Sequence, residues 1–481
     1  PVSKDFFPIA GASGNQGAAA YNIDQSIRFD EKTNAYMHRT PSGAGNRRTW
    51  TWSGWLKHTT STTSGYHNIW TARSDNNNFF EIAKRVTASG DNFMDITNMT
   101  SSTRDIRLIT NRHFRDVSAW YHFVFVLDTT NDVASERVRF YVNGTRETSF
   151  STETYPSKNL DTFINTTNKH EIGAYNGGAG YMMDGYMADI HFIDGYAYGP
   201  EFFGELKEDT DIWVPIKYTG TYGTNGYKID GRDASDLGDD ESGNGNDYTT
   251  VNLATHDQVL DTPTNNFAVL NSVDTFAKIN GEVRNGNLEL KDNSASAYVY
   301  ARATFGFDVT DSDGWYWESV DVVDGSGIGG ITEFNTALPS GSSLAFTGAR
   351  GFNSINTGSH MKLENTTYNS VNLGVTSNAG DIIQFCAKNG KLFIGINGTY
   401  VLSGNPATEA NPLFTGLTGT FMPFAGLYSG ASYNTIHNFG QDGTFGGNKT
   451  AQGNTDANGF GNFFYAPPTG AKALCSRSLG A

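Results

Sequence analysis

Two segments of the sequence combine tyrosine and asparagine side chains in a pattern that suits sugar recognition. A sugar ring packs its C–H face on an aromatic ring, while amide groups donate to and accept from its hydroxyls. The first segment reads YNGGAGY at residues 175–181 and the second reads YSGASYN at residues 428–434. The candidate glycan-binding residues are Tyr175, Asn176, Tyr181, Tyr428, Tyr433 and Asn434. The alternative is that these tyrosines serve only to pack their loops.

The acidic stretch at residues 230–247 carries the oxygen donors that calcium requires. Calcium is bound by carboxylate, amide and carbonyl oxygens of a flexible loop. The candidate ligands are Asp236, Asp239, Asp240, Asn244 and Asp247, whose spacing does not follow the EF-hand pattern. A solvated acidic turn explains the same residues. We therefore expect no required cofactor, with calcium as the one candidate metal.

The carboxylates of the sequence do not predict an enzyme. Hydrolysis of a glycosidic bond with retention needs two carboxylates close together. The nearest candidates are Glu318, Asp321 and Asp324, but a spacing of three places the first two on opposite faces of a regular strand. The sequence contains no Gly-x-Ser-x-Gly, phosphate-loop or His-Glu-x-x-His motif. We predict no enzymatic activity, with a polysaccharide depolymerase as the less favoured alternative.

The elements that would position these residues are β-strands joined by tight turns. The alternating runs RVRFYV at 137–142 and KLFIGI at 391–396 each lead into Asn-Gly-Thr. Asn and Gly tolerate the positive φ angles of a type I′ turn, so both sites predict β-hairpins. The apolar run YHFVFVLD at 121–128 predicts a central strand that is buried on both faces.

Composition and length agree with an all-β chain of more than one domain. The chain has 481 residues, 55 glycines, 13 % aromatic and only 17 % charged residues, which suits short strands and many turns. A net charge of −16 argues against binding to a nucleic-acid backbone. Two cysteines cannot supply a disulfide framework, and no apolar run is long enough for a membrane span.

We therefore predict two antiparallel β-sandwiches joined by an ordered connector. Residues 1–22 are rich in Gly and Ala without periodicity, and we interpret them as an N-terminal arm for attachment or oligomer contact. The remaining predicted domains are a first sandwich at 23–205, an acidic Gly/Asn-rich connector at 206–275, a second sandwich at 276–445 and a C-terminal tail at 446–481.

The first sandwich resembles the laminin-G and pentraxin type of concanavalin A-like domain. The resemblance is carried by WYH at 120–122, FYVNG at 140–144, EIG at 171–173 and MDGYMADI at 183–190. It implies a jelly-roll sandwich of lectin type.

The second sandwich resembles a SPRY domain. The motifs that carry this resemblance are WYWE at 315–318, GDII at 380–383, NGKLF at 389–393, ING at 396–398 and NFGQ at 438–441. They occur in the order that the SPRY family has. The resemblance also accounts for Glu318 without catalysis.

The pairing of the two modules resembles virion proteins of marine tailed bacteriophages. DTPTNNF at 261–267 and PPTGAKAL at 467–474 add to that likeness. It implies a tail fibre, head fibre or capsid appendage, made in the host cytoplasm, released by lysis and located on the virion. Its lectin-like modules would recognise a host-surface glycan or protein during adsorption.

The expected partners are other virion proteins of the capsid or tail and a homo-oligomer, with a trimer favoured. A purely structural decoration protein without a ligand is the alternative.

Overall fold

The computed structural model describes most of the chain and shows an all-β protein. The described residues are 21–59, 64–178, 181–275, 281–293, 298–323, 326–338, 346–354, 361–370, 373, 377–428 and 433–480. Their helical segments are all short 3-10 turns, at Ala134–Glu136, Pro200–Phe202, Thr255–Asp257, Val401–Ser403 and Ser476–Gly480. No described helix is long and apolar enough to cross a membrane. The predicted arm lies outside the described residues except for Tyr21 and Asn22.

The chain divides into two compact units, Pro1–Asn266 and Phe267–Ala481. The strands of the first unit are β1 (Ser26–Phe29), β2 (Tyr36–Arg39), β3 (Thr49–His58), β4 (Gly65–Asp75), β5 (Asn78–Val86), β6 (Asn92–Thr100), β7 (Thr103–Thr110), β8 (Tyr121–Asp128), β9 (Val138–Val142), β10 (Thr145–Arg146), β11 (Phe150–Thr154), β12 (Lys169–Ile172), β13 (Gly185–Asp194), β14 (Gly204–Lys207), β15 (Ile212–Pro215), β16 (Tyr227–Ile229), β17 (Thr249–Val251) and β18 (Gln258–Val259).

Sixteen of these strands form two large antiparallel sheets around one core, and β14 and β15 form a separate two-stranded sheet. Sheet 1 has the order β10-β9-β8-β3-β13-β1-β18, with β16 beside β13, and sheet 2 has the order β11-β7-β6-β5-β4-β12-β2-β17. Alternation along β3 sends Trp50 and Trp52 into the core against Trp70 of sheet 2. The same alternation leaves Trp55 and Lys57 on the outer face of sheet 1. The predicted all-β class with antiparallel sandwiches is confirmed.

Most of the predicted connector, residues 206–266, is part of the first unit, whereas residues 267–275 belong to the second. Strand β16 pairs with β13, β17 pairs with β2 and β18 pairs with β1, so this segment supplies strands to both sheets. Residues beyond these strands also hold it in place, because the buried Lys57 Nζ lies 2.7 Å from Asp261 Oδ2. An acidic, glycine-rich composition hid three short strands whose partners lie far away in the sequence.

The strands of the second unit are β19 (Leu270–Thr275), β20 (Gly281–Arg284), β21 (Glu289–Asp292), β22 (Tyr298–Ala303), β23 (Phe307–Asp308), β24 (Trp315–Asp321), β25 (Ser326–Glu333), β26 (Ala349–Ser354), β27 (Met361–Glu364), β28 (Thr367–Ser370), β29 (Ile382–Lys388), β30 (Lys391–Ile396), β31 (Thr399–Tyr400), β32 (Thr420–Tyr428), β33 (Asn434–Asn438) and β34 (Lys472–Ala473). Sheet 3 has the order β19-β22-β32-β25-β26-β27-β28, with β23 beside β32. Sheet 4 has the order β20-β21-β33-β24-β29-β30-β31.

The predicted C-terminal tail belongs to the second unit. Strand β34 pairs in parallel with β24, and Phe463 is fully buried against Tyr316 at a ring distance of 5.1 Å. The aromatic strip at residues 463–465 therefore packs on the second unit and is part of it.

Both Asn-Gly turns have the backbone that their composition predicts. Asn143 and Gly144 have φ angles of 47° and 76° between β9 and β10, and Asn397 and Gly398 have 49° and 82° between β30 and β31. Positive φ at both central residues defines the type I′ turn that matches strand twist.

Candidate functional site

The YNGGAGY segment joins β12 to β13 and places its two tyrosines beside a third. The rings of Tyr175 and Tyr181 meet edge to face at 6.1 Å, and Tyr181 meets Tyr66 of β4 in the same way at 5.8 Å. Tyr181 is 52 % exposed, so its ring is open to a ligand. Asn176 is also exposed at the tip, whereas Ala179 and Gly180 lie outside the described residues.

Two arginines complete this cluster. The Arg73 guanidinium lies 4.6 Å from the centre of the Tyr175 ring, and that of Arg85 lies 5.2 Å from the centre of Tyr66. A guanidinium over a ring face gains a cation–π interaction and leaves edge N–H groups for other partners. Arg73 donates from Nη2 to Asn76, while its Nε and Nη1 are buried and make no hydrogen bond among the described residues.

We name the set Tyr66, Arg73, Arg85, Tyr175 and Tyr181 the tyrosine–arginine surface. It lies on the outer face of sheet 2, because Arg73 follows the core residue Ala72 in β4. Tyr66 pairs with Arg85, which alternates with the core residues Phe80 and Ile82 of β5. The loop is tied to this face through β12, since the Glu171 carboxylate accepts the Gly177 N–H at 2.8 Å.

A carboxyl group with an unusual proton affinity lies on the same face. Burial and the neighbouring Asp95 raise the pKa of Glu81 to about 8. Asp95 itself is paired with Arg107 at 3.0 Å. At neutral pH the Glu81 carboxyl is therefore mostly protonated and offers an O–H donor.

Sequence reasoning found the two loop tyrosines but missed Tyr66, Arg73, Glu81 and Arg85. Their partners lie on other strands, and cross-strand register is not encoded in local spacing. A usable signal was present in β5, NFFEIAKRV, where Glu81 and Arg85 fall on the non-core alternation.

The second candidate segment provides fewer free groups. Tyr428 ends β32 and stacks on Tyr298 at a ring distance of 4.1 Å, while Tyr433 packs against the core of the second unit. The Asn434 side chain donates to Glu289 at 2.7 Å. Residues 429–432 between them lie outside the described residues. Tyr428, Tyr433 and Asn434 thus all have structural contacts here.

The acidic stretch forms turns that close on β16. The buried Asp240 carboxylate accepts N–H groups from Lys228, Ser242 and Asn246 at 2.8–2.9 Å. Asn244 donates its amide to two backbone carbonyls.

The other acids of this stretch are less committed. Asp236 accepts the Gly238 N–H and Asp247 accepts the Asp240 N–H, each through one oxygen. The pKa of Asp239 is raised, first by partial desolvation and then by the negative charges of Asp247 and Asp236. Within the described ranges, no three His, Cys, Asp or Glu side chains converge as a metal site would require.

The nearest catalytic candidate, Glu318, is an anchor in the structure. Its fully buried carboxylate accepts hydrogen bonds from the Tyr465 N–H at 2.7 Å and the Phe464 N–H at 2.8 Å. Tyr316 and Asn438 donate to it as well. Asp324 lies outside the described residues. Glu318 thus holds the aromatic strip at residues 463–465 onto sheet 4.

Comparison with known proteins supports the lectin-type fold of the first unit. Residues 31–197 match the laminin G family model described as the concanavalin A-like lectin/glucanases superfamily. Residues 31–197 of the first unit are thus similar to that superfamily. No curated protein matches the chain.

Several solved structures align with parts of the chain. A heptameric SAP-like pentraxin from Limulus polyphemus is 18 % identical, with 37 % of this chain and 80 % of that one covered and a TM-score of 0.28. The TRIM65 PSpry domain is 12 % identical, over 36 % and 88 %, with a TM-score of 0.27. Domains LG4-5 of the mouse laminin alpha1 chain are 9 % identical, over 88 % and 85 %, with a TM-score of 0.30.

Proposed function

We propose that the protein is a non-enzymatic recognition protein whose first unit binds carbohydrate at the tyrosine–arginine surface. The observation that carries the proposal is the convergence of Tyr66, Tyr175 and Tyr181 with Arg73 and Arg85 on the outer face of sheet 2. The concanavalin A-like lectin fold of residues 31–197 supports it.

The chemistry of this surface suits a sugar chain better than a protein partner. Exposed Tyr181 offers a ring edge and face for the C–H groups of a pyranose. The amide of the exposed Asn176 supplies directional hydrogen bonds to hydroxyls, while Arg73 and Arg85 hold the rings of Tyr175 and Tyr66 in place. Mixed rings and donors, held by strands rather than by loops alone, fix the orientation of a ligand.

A glycan array with three proteins tests this proposal. Tyr181 has a φ of 63°, so Tyr181→Asn removes the ring while keeping a residue that tolerates this backbone. Tyr196, 41 % exposed and stacked on Tyr198 elsewhere in the unit, gives the matched control Tyr196→Asn. We expect wild type and the control to bind the same glycans and Tyr181→Asn to lose them. Equal binding by all three proteins would contradict the site.

We further propose that this recognition serves a bacteriophage virion, as an appendage of the tail or capsid. The pairing of the two modules and the segment DTPTNNF support this role. Deleting residues 1–20 tests the arm and spares Tyr21, whose hydroxyl donates to Asp189 at 2.9 Å. We expect the shortened protein to fold but to be absent from purified particles.

Two other functions give different results in the same experiments. A purely structural decoration protein would assemble onto particles and bind no glycan on the array. A depolymerase would release reducing ends from host polysaccharide. We expect no release, because Glu318 is engaged by two backbone N–H groups and two side chains.

A further inference from the structure

A second concave site lies on the opposite side of the first unit, on the outer face of sheet 1. It encloses about 300 Å³. Trp213 lines it together with Trp55 and Trp120, which are only 4 % and 2 % exposed, and its remaining lining residues are Asn143, Thr145, Leu206, Asp211, Ile212 and Pro263. We call it the tryptophan pocket. Its volume is at the small end of the range typical of ligand sites, about 300–1,000 Å³.

Five separate segments build the tryptophan pocket, and Pro263 belongs to the fifth. Trp55 projects from the outer face of β3, Trp120 precedes β8, and the β14–β15 hairpin brings Trp213 across them. The Asn-Gly turn after β9 closes one side. Glycine is needed there, because a Cβ on Gly144 would lie 2.4 Å from the Trp213 ring.

Buried partners hold two of the walls in fixed orientations. The Trp213 Nε1–H donates to His122 Nδ1 at 3.0 Å, and the His122 ring stacks on Trp55 at 4.8 Å. The Trp120 Nε1–H donates to Asp261 at 3.0 Å, and Asp261 is paired with the buried Lys57. Indoles anchored in this way present preorganised faces, which reduces the entropy cost of binding a ligand.

The state of His122 makes this anchoring independent of pH over the neutral range. An indole N–H can only donate, so His122 Nδ1 must accept and the ring proton must reside on Nε2, which lies 2.8 Å from Ser53 Oγ. Burial lowers the pKa of His122 to about 3. The ring therefore stays neutral and keeps accepting from Trp213.

The polar groups of the pocket point to an uncharged, hydroxyl-rich ligand. The Asn143 Oδ1 accepts the backbone N–H of His122 at 2.7 Å, which leaves the side-chain N–H₂ of Asn143 for a ligand. Thr145 and Asp211 are both exposed and add a hydroxyl and a carboxylate. Asp211 is the one ionisable side chain among the lining residues, so the pocket offers no cation to an acidic sugar.

We propose that the tryptophan pocket is a second carbohydrate subsite that binds a neutral pyranose residue. The inference rests on the proposed function of the first unit as a carbohydrate-binding domain, at a site separate from the tyrosine–arginine surface. An apolar face of the sugar ring packs on the accessible part of the Trp213 indole, while the Asn143 amide, Thr145 hydroxyl and Asp211 carboxylate bind its hydroxyls.

Saturation-transfer NMR on the full chain tests this assignment. The probes are the methyl pyranosides of glucose, galactose and mannose, with glucuronate as the anionic comparison. Asp211 has a φ of 55°, and Asp211→Asn keeps the side-chain shape and tolerates this positive φ while removing the charge. Trp213→Phe reduces the aromatic surface of the pocket. We expect at least one neutral pyranoside to bind wild type, with a dissociation constant raised roughly tenfold in each variant.

The outcome is separable from that of the glycan array. Tyr181→Asn should leave pyranoside binding at the tryptophan pocket unchanged. Two results would overturn the subsite and leave the proposed function standing. One is that glucuronate binds as tightly as the neutral sugars. The other is that no pyranoside binds to wild type although glycan binding on the array persists. Loss of array binding in Tyr181→Asn with pyranoside binding retained supports both sites. Pyranoside binding that survives unchanged in Asp211→Asn and Trp213→Phe overturns the subsite.

Discussion

Glu318 illustrates how one buried carboxyl can fix a chain segment. Burial raises its pKa to about 7, even though two backbone N–H groups, Tyr316 and Asn438 donate to it and favour the ionised form. The folded pKa therefore lies above the value of 4.5 expected in the unfolded chain. Such a group contributes its full stability below pH 4.5 and loses it as the pH rises through about 7.

We predict that the second unit becomes less stable between pH 5 and pH 8, by about 3 kcal/mol from this group alone. Hydrogen exchange at the Phe464 and Tyr465 amides, corrected for the intrinsic effect of pH, measures it. Glu318→Gln should lower the protection at every pH, because its amide faces N–H donors, and should flatten the pH dependence. A pH profile that is identical in both proteins would contradict the assignment.

Glu81 makes a similar prediction for ligand binding. Its pKa of about 8 means that raising the pH from 6 to 9 converts an O–H donor into a carboxylate next to Asp95. We expect glycan binding at the tyrosine–arginine surface to weaken severalfold over this range. Glu81→Gln, which stays neutral, should bind equally at both pH values. Titration of the best array ligand at pH 6 and pH 9 decides between these outcomes.

At the scale of elements, the β14–β15 hairpin determines whether the tryptophan pocket exists. Trp213 packs over two glycines, Gly144 in the Asn-Gly turn and Gly204 at the start of β14. Gly204 has no positive φ, so it is the cleaner position at which to test close packing.

We predict that Gly204→Ala displaces Trp213, because the added Cβ would lie 2.5 Å from the indole. The expected loss of stability is about 1–3 kcal/mol, and pyranoside binding should weaken with it. Gly43→Ala is the matched control, since nothing lies within 4 Å of a Cβ there. Thermal unfolding of the two variants beside wild type measures the difference, and equal melting temperatures would contradict it.

The acidic turns before β17 are the candidate calcium site of this chain. The carboxylates near Asp239 raise its pKa, and a divalent cation would relieve their repulsion. Because no three described carboxylates converge there, we expect millimolar calcium to leave the melting temperature of wild type unchanged; a rise that Asp239→Asn abolishes would support a calcium site instead. Magnesium is the control, because it accepts irregular oxygen sites less readily. No shift between calcium and a chelator would argue for a solvated turn.

At the scale of the whole molecule, the sequence predicted a boundary at residue 205, whereas the first unit extends to Asn266. Ending the chain at residue 205 removes β16, β17 and β18 from the sheet pairings. It also removes Asp261 and leaves the ammonium of Lys57 buried without that partner. Breaking a buried ion pair costs about 3–5 kcal/mol.

We therefore predict that a fragment of residues 21–266 unfolds cooperatively and that a fragment of residues 21–205 does not. Circular dichroism during urea titration distinguishes a single sigmoidal transition from gradual loss of signal. Residues 21–266 carrying Asp261→Asn should be intermediate, since the strands remain while the ion pair is lost. A cooperative transition in the shorter fragment would show that the added strands are dispensable.

The sequence by itself determined the local features of this chain. Asn143-Gly144 and Asn397-Gly398 specify their turns because their backbone preferences act over neighbouring residues. The apolar run at residues 121–128 predicted that β8 is a buried strand. These signals suffice for an all-β class with two sandwiches, since strand periodicity is short-range.

Only the tertiary structure decided which distant residues meet. Tyr66 and Tyr181 are 5.8 Å apart, and Trp213 reaches His122 across the fold, because strand register and hairpin packing join segments more than 90 residues apart. The three strands at residues 227–259 were hidden for the same reason, as each is too short to show a period and is stabilised by its partner in a sheet. Both proposed sugar sites belong to this second category, since a binding surface is a property of packed faces and not of any one segment.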